Sequence, residues 1–150
     1  MLRRRLAVVL AMVFFFGFPM AGLLFVYFRA HATIRASAQP FVAETTQEVL
    51  GESDFKNLYF LGTLTLKGSL TKETFSSWLD RYGDYKALHD LHPTRSWVGS
   101  RADQSWQYAS FAGTVEFSKG DARLDFVAAR RSTALSEWRV EKFLLTPATD

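Results

Sequence analysis

The chain has 150 residues, 48% of them hydrophobic, and 18 Lys and Arg against 15 Asp and Glu. That length holds one core plus a short appendage, and the absence of cysteine excludes disulfides, thiolate metal sites, a cysteine nucleophile and a lipoprotein anchor. Arg3, Arg4, Arg5 and Arg29 flank an apolar run, and the chain after Ala30 carries 14 Lys and Arg against 15 Asp and Glu, a net of −1. The basic balance therefore belongs to the flanks of that run, and no nucleic-acid partner is expected.

Leu6–Phe28 contains no charged residue and no histidine. As a helix its 23 residues span about 35 Å, enough to cross a bilayer core of about 30 Å with some tilt. Gly17-x-x-x-Ala21 and Ala7-x-x-x-Ala11 are spacings at which a second helix could approach, although small residues are common in such segments anyway. Ala30-His31-Ala32 resembles a signal-peptidase site, but signal h-regions run about 7–15 residues and this one is longer. The expectation is an uncleaved single-pass anchor. The arginine bias places residues 1–5 as a basic cytoplasmic tip and the rest outside a bacterial inner membrane, in the periplasm.

Residues 29–39, small and polar, read as a tether, and residues 40–147 as the extracytoplasmic domain. Pro40 suits a first helical position, followed by Phe41, Val42, Thr45, Val49 and Leu50 at helical spacing up to Gly51. Ser53 is a cap for a short helix carrying Phe55, Leu58, Tyr59 and Leu61, stopped by Gly62, and Thr63–Gly68 reads as a connector. Thr71 caps a third helix with Phe75, Trp78, Leu79 and Tyr82 on one stripe. Gly83-Asp84 interrupts it before Tyr85, Leu88 and Leu91, and Pro93 closes the region.

The period then changes. Ser96–Arg101 reads as a short strand and Trp106–Phe117 as a long one, with a turn at Lys119-Gly120-Asp121. Arg123–Arg130 and Trp138–Leu144 alternate, with a bulge at Lys142. Helices followed by a meander imply an α+β fold, an N-terminal transmembrane helix and then helices packed on a curved, mainly antiparallel, cone-like sheet of about four strands.

This order, together with Glu137-Trp138-Arg139-Val140-Glu141-Lys142-Phe143 as a closing strand and Ser53-Asp54-Phe55-Lys56-Asn57-Leu58 as a short second helix, resembles the nuclear-transport-factor-like and cystatin-like superfamily. Within it the chain looks like small bacterial membrane-anchored domains of unknown function. The resemblance implies a cone-like fold and no activity, because the family's acidic or histidine residues inside the cone find no counterpart here.

His89 and His92 form an H-x-x-H beside Asp90, but zinc sites need three or four ligands and the remaining histidine, His31, lies at the membrane flank. No metal and no cofactor are expected. Asp80 and Asp84, four apart, read as a solvated helix face, and Arg130-Arg131 as a charged turn able to meet an acidic partner or lipid headgroups. Nothing resembles a nucleophile beside a base, so no catalytic residue is named. Asp103, Asp125 or His92 inside a cavity would reopen that question.

Trp97, Trp106, Tyr108 and Trp138 are the candidate ligand- or partner-facing residues, and Arg3, Arg4, Arg5 and Arg29 the membrane-flanking ones. The expected partners are the lipid bilayer and a membrane or envelope protein. The function expected is that of a non-enzymatic, membrane-anchored accessory protein whose outer domain docks on other envelope proteins. Its layout resembles that of the bitopic scaffold subunit of type IV secretion systems. The alternative is binding of a small apolar ligand in the cone.

Overall fold

The computed structural model describes residues 18–133 and 135–148. The chain divides into two units, residues 1–33 and 34–150. Arg3, Arg4, Arg5 and residues 6–17 of the expected membrane segment lie outside the described residues. Among the described residues no helix is long and apolar enough to cross a membrane.

Helix α1, Phe18–Gly51, runs through the segment read as a tether, and Pro40 stands inside it rather than at its start. Residues 29–39 are rich in alanine and contain no glycine, so helix propagates readily there. Proline removes one backbone bond to the carbonyl four residues earlier, here Ala36, and both residues are exposed, so water can serve that carbonyl. From Ile34 onward one stripe is buried: Ile34, Ala38, Val42, Thr46, Val49 and Leu50 are 5% exposed or less. Thr46 survives in the core because its hydroxyl donates to the Val42 carbonyl at 2.7 Å.

Three short helices follow. Helix α2, Phe55–Leu61, is capped by Asp54, whose carboxylate accepts from the Asn57 N–H at 3.0 Å; Ser53 precedes the cap at φ 54° and does not perform it. Helix α3, Leu64–Ser69, occupies the expected connector: Thr63 caps it and Leu66 is buried. Helix α4, Lys72–Tyr82, is capped by Thr71, with Phe75 and Tyr82 buried. It ends at Gly83, whose φ of 82° and ψ of −153° suit a residue without Cβ. Asp84 lies past that end, so Asp80 and Asp84 do not share a helix face.

Four antiparallel strands complete the α+β fold as an open sheet in the order β1-β2-β3-β4: β1 Tyr85–Arg101, β2 Gln104–Phe117, β3 Gly120–Arg131 and β4 Arg139–Pro147. Tyr85–Pro93 is strand, not helix. It pairs with β2 through register shifts at Tyr85/Ala87, His89/His92 and Pro93/Arg95, and these extra residues turn its apolar period from two to three. The β1–β2 turn is Ala102-Asp103, both with φ near +50 to +60°, as a two-residue hairpin of right-handed twist requires. The β2–β3 turn precedes Gly120 at φ 133°. In β4 Glu141 is the extra residue, between Val140 opposite Ala128 and Lys142 opposite Val127, one position before the expected bulge.

One sheet face carries the core. Phe111, Phe126, Leu124, Ala128 and Val140 are 1% exposed or less, and Phe126 makes edge contacts with Phe41 at 6.2 Å and Phe143 at 5.7 Å. Gly62 forms a parallel bridge with Val140 at the β4 edge, and the Thr63 N–H donates to the Val140 carbonyl at 2.9 Å.

Candidate functional site

The sheet alternates, so paired positions share a face. Trp97 opposite Tyr108, and Gly99 opposite Trp106, lie on the face away from Phe111 and Phe126. Trp97 and Tyr108 stack, with ring centroids 5.0 Å apart and planes 6° from parallel, and the Arg95 guanidinium lies 5.5 Å over Trp97. Next along this face the Arg131 guanidinium lies 5.8 Å from the Trp106 ring centre. Three of the four expected aromatic residues are therefore neighbours.

The fourth is not. Trp138 is 9% exposed and belongs to the core cluster, so its expected place in a partner-facing patch is corrected. Its ring is covered by Arg130 at 4.5 Å, and Arg130 Nε donates to Gln107 Oε1 at 2.9 Å. Strand alternation separates Arg130, beside the core, from Arg131, beside Trp106. Among the described residues the Trp138 indole N–H has no hydrogen-bond acceptor, a burial that costs about 1–3 kcal/mol and is offset in part by the half-buried Arg130 cation over the ring.

Where the β1–β2 turn approaches α3, Trp106 forms one wall of a pocket of about 340 Å³. Its lining includes four cationic side chains, Lys67, Arg101, Arg131 and Arg139, with exposed Leu64 beside them. The β4 bulge explains how the pocket is braced. It presents Glu141, whose carboxylate accepts from the Thr63 hydroxyl at 2.6 Å and faces Arg101 Nη1 at 3.4 Å. Arg101 Nη2 donates to Thr65 Oγ1 at 2.6 Å. Burial holds the Tyr108 phenol above its ordinary range; the Glu141 carboxylate adds to the rise and Arg101 opposes it.

A second pocket, about 380 Å³, shares Trp106, Arg131 and Arg139 and reaches exposed Leu135 and Glu137. None of the six residues Leu64, Lys67, Arg101, Leu135, Arg131 and Arg139 was singled out as a site by sequence except Arg131, in the Arg130-Arg131 pair. Alternation in β3 and β4 was the one available signal that Arg131 and Arg139 share a face.

His89 and His92 sit on β1, not on a helix. His89 Nε2 is 3.2 Å from Glu116, His92 Nδ1 is 2.6 Å from the Asp90 carbonyl, and both are exposed. The His89 and Lys86 contacts hold the Glu116 carboxyl below its ordinary range. Among the described residues no group of three or more His, Cys, Asp or Glu could hold a metal ion. Asp103 and His92 are exposed, and half-buried Asp125 lies 3.6 Å from Arg123. These three residues thus supply no enclosed acid or base.

In the first unit, Met20 and Leu23–Phe28 are exposed, and six consecutive helical residues cover the whole circumference of the helix. Arg29, at the end of this apolar stretch, is exposed, and its carbonyl accepts from the Thr33 hydroxyl at 3.0 Å. No family model, curated protein or solved structure matches this chain.

Proposed function

We propose that this chain is a single-pass, membrane-anchored accessory protein whose α+β domain works by docking on another envelope protein and not by catalysis. The carrying observation is the chemistry around Trp106: a solvent-facing aromatic wall surrounded by cationic side chains, a composition suited to recognition. The membrane half of the reading is supported by Met20–Phe28, apolar on every side, which continues a sequence without charge back to Leu6. The order of helices followed by a meander supports kinship with the cone-like superfamily. The alternative, a small apolar ligand in the cone cavity between helices and sheet, gains no support because Phe75, Phe111, Phe126 and Leu58 pack that space.

The test is site-specific photocrosslinking in cells. A benzophenone amino acid at Trp106 is expected to give one discrete protein adduct, absent when it stands at His92 and lost when Arg131→Glu is added. Adducts of equal yield from both positions, unaffected by Arg131→Glu, would remove the reading.

A further inference from the structure

We propose that the two pockets joined at Trp106 form one groove that takes an acidic peptide segment of the partner protein, with carboxylates on Arg131 and Arg139 and apolar side chains against Leu64 and Leu135. This deepens the docking reading above and rests on it.

The charges around the groove are not equally available. Arg101 is already committed to Glu141 and Thr65, and Lys67 lies 5.1 Å from the Tyr59 ring centre. Arg131 lies over Trp106, and among the described residues neither it nor Arg139 has an acidic partner. Both are exposed, both line both pockets, and a guanidinium matches a carboxylate with two parallel N–H donors. Glu137 faces the second pocket and penalises an occupant carrying negative charge at that end. The acidic groups are therefore expected nearer Arg131, Arg139 and Lys67.

Leu64 and Leu135, 82% and 96% exposed, belong to different pockets that share Trp106, Arg131 and Arg139. A single phosphate would use the arginines and leave both leucines in water. A segment with acidic residues between apolar ones uses all of these features at once, and each pocket, at several hundred Å³, is large enough for side chains. A peptide fits this groove better than a headgroup does.

The test uses the full chain in a neutral maltoside micelle and an eight-residue peptide of alternating Glu and Leu, with a Lys-for-Glu peptide as control. Tryptophan fluorescence follows binding, and Trp106→Phe assigns the signal. Saturable binding of the Glu peptide is expected, weakened about tenfold by Arg131→Gln and about tenfold by Arg139→Gln, and weakened further in salt well above about 0.15 M. Both variants keep an exposed polar side chain, and an unchanged circular dichroism spectrum confirms their folding.

Equal binding of the Lys peptide, or no loss in the double Gln variant, would overturn the proposal. So would binding of phosphatidylglycerol-containing micelles or inorganic phosphate in place of the peptide. If the Trp106 crosslink to a protein persists while the Glu peptide fails, docking stands and only the acidic character of the partner is lost.

Discussion

Glu141 offers a sharp test of how the pocket is built, because its carboxylate serves two partners of unequal importance. Thr63 is 7% exposed and donates to Glu141 at 2.6 Å, so Glu141→Ala leaves a buried hydroxyl proton without an acceptor, a cost of about 1–3 kcal/mol. The Arg101 contact, at 3.4 Å, is longer than a strong charge-assisted bond, and the Arg101 side chain is 39% exposed, so the pair is screened. That pair contributes about 0.2–1 kcal/mol. Glu141→Gln keeps an oxygen for Thr63 and discards only the charge, so it should cost less than about 1 kcal/mol, and Glu141→Ala about 1–2 kcal/mol more than that. Urea unfolding of the chain in mild detergent reads the difference, and a Thr63→Val/Glu141→Ala cycle isolates the coupling. Tyr108 supplies an independent measure. Neutralising Glu141 removes the carboxylate that helps burial raise the phenol, so ultraviolet titration should show it ionising at lower pH, whereas Arg101→Met should move it higher. A Gln variant as damaged as the Ala variant, or a phenol that moves up, refutes this account.

Backbone strain gives two further expectations. Gly83→Ala at φ 82° would set a Cβ against Ser118 Oγ and 3.1 Å from Lys119 Cγ, and should cost at least about 1 kcal/mol in urea unfolding; an unchanged midpoint would contradict it. Ala102→Asn, at φ 48°, should gain about 0.5–1 kcal/mol, since Asn tolerates the left-handed region at lower cost, and a loss would count against the turn assigned there. Burial is the main cause that holds the phenols of Tyr85 and Tyr108 above their unfolded value near 10. Their contribution to stability is therefore full below that pH and is lost as pH rises through the folded values, so the Tyr85→Phe/Tyr108→Phe variant should lose less stability above about pH 10. Equal losses in variant and parent would exclude the tyrosines as the cause. Because the chain has no cysteine, single thiols at Phe25 and Ser100 test the anchor: in membrane vesicles an impermeant maleimide should spare the first and label the second, and free labelling at Phe25 argues against a buried segment.

Local chemistry was legible from the sequence and pairing was not. Thr71, Gly83 and Gly120 punctuate the chain where a side chain or a φ value requires, Gly62 ends α2 at an ordinary φ of −73°, and the long alternations of β2 and β3 follow from burying one face. Tyr85, Leu88 and Leu91 imitate a helix stripe because bulges insert residues between the positions that β1 turns toward the core, a displacement visible only once β2 is in place. Ala102-Asp103 lacks the glycine that marks most two-residue hairpins, so the sequence carries no turn signal between Ser96–Arg101 and Trp106–Phe117. Thr63–Gly68 has the composition of a loop, and capping by Thr63 with burial of Leu66 makes it helical. The aromatic part of the site was readable from alternation. Its cationic part was legible only for Arg131 and Arg139, which alternation puts on one face; Lys67 joins them only when Gly62 and Thr63 meet Val140.

That last contact also bears on how the domain avoids polymerising. Every open sheet offers two raw edges at which a second chain could add a strand. At β4 the Val140 carbonyl is already occupied by the Thr63 N–H, and the segment around Gly62 lies where an incoming strand would start. At β1 Pro93 lacks a donor and three register irregularities spoil the straight run that edge-to-edge growth needs. Substitutions that straighten β1, or that detach Gly62–Thr63 from β4, should therefore show themselves first as loss of solubility at high concentration, before any change in the folded domain is measurable.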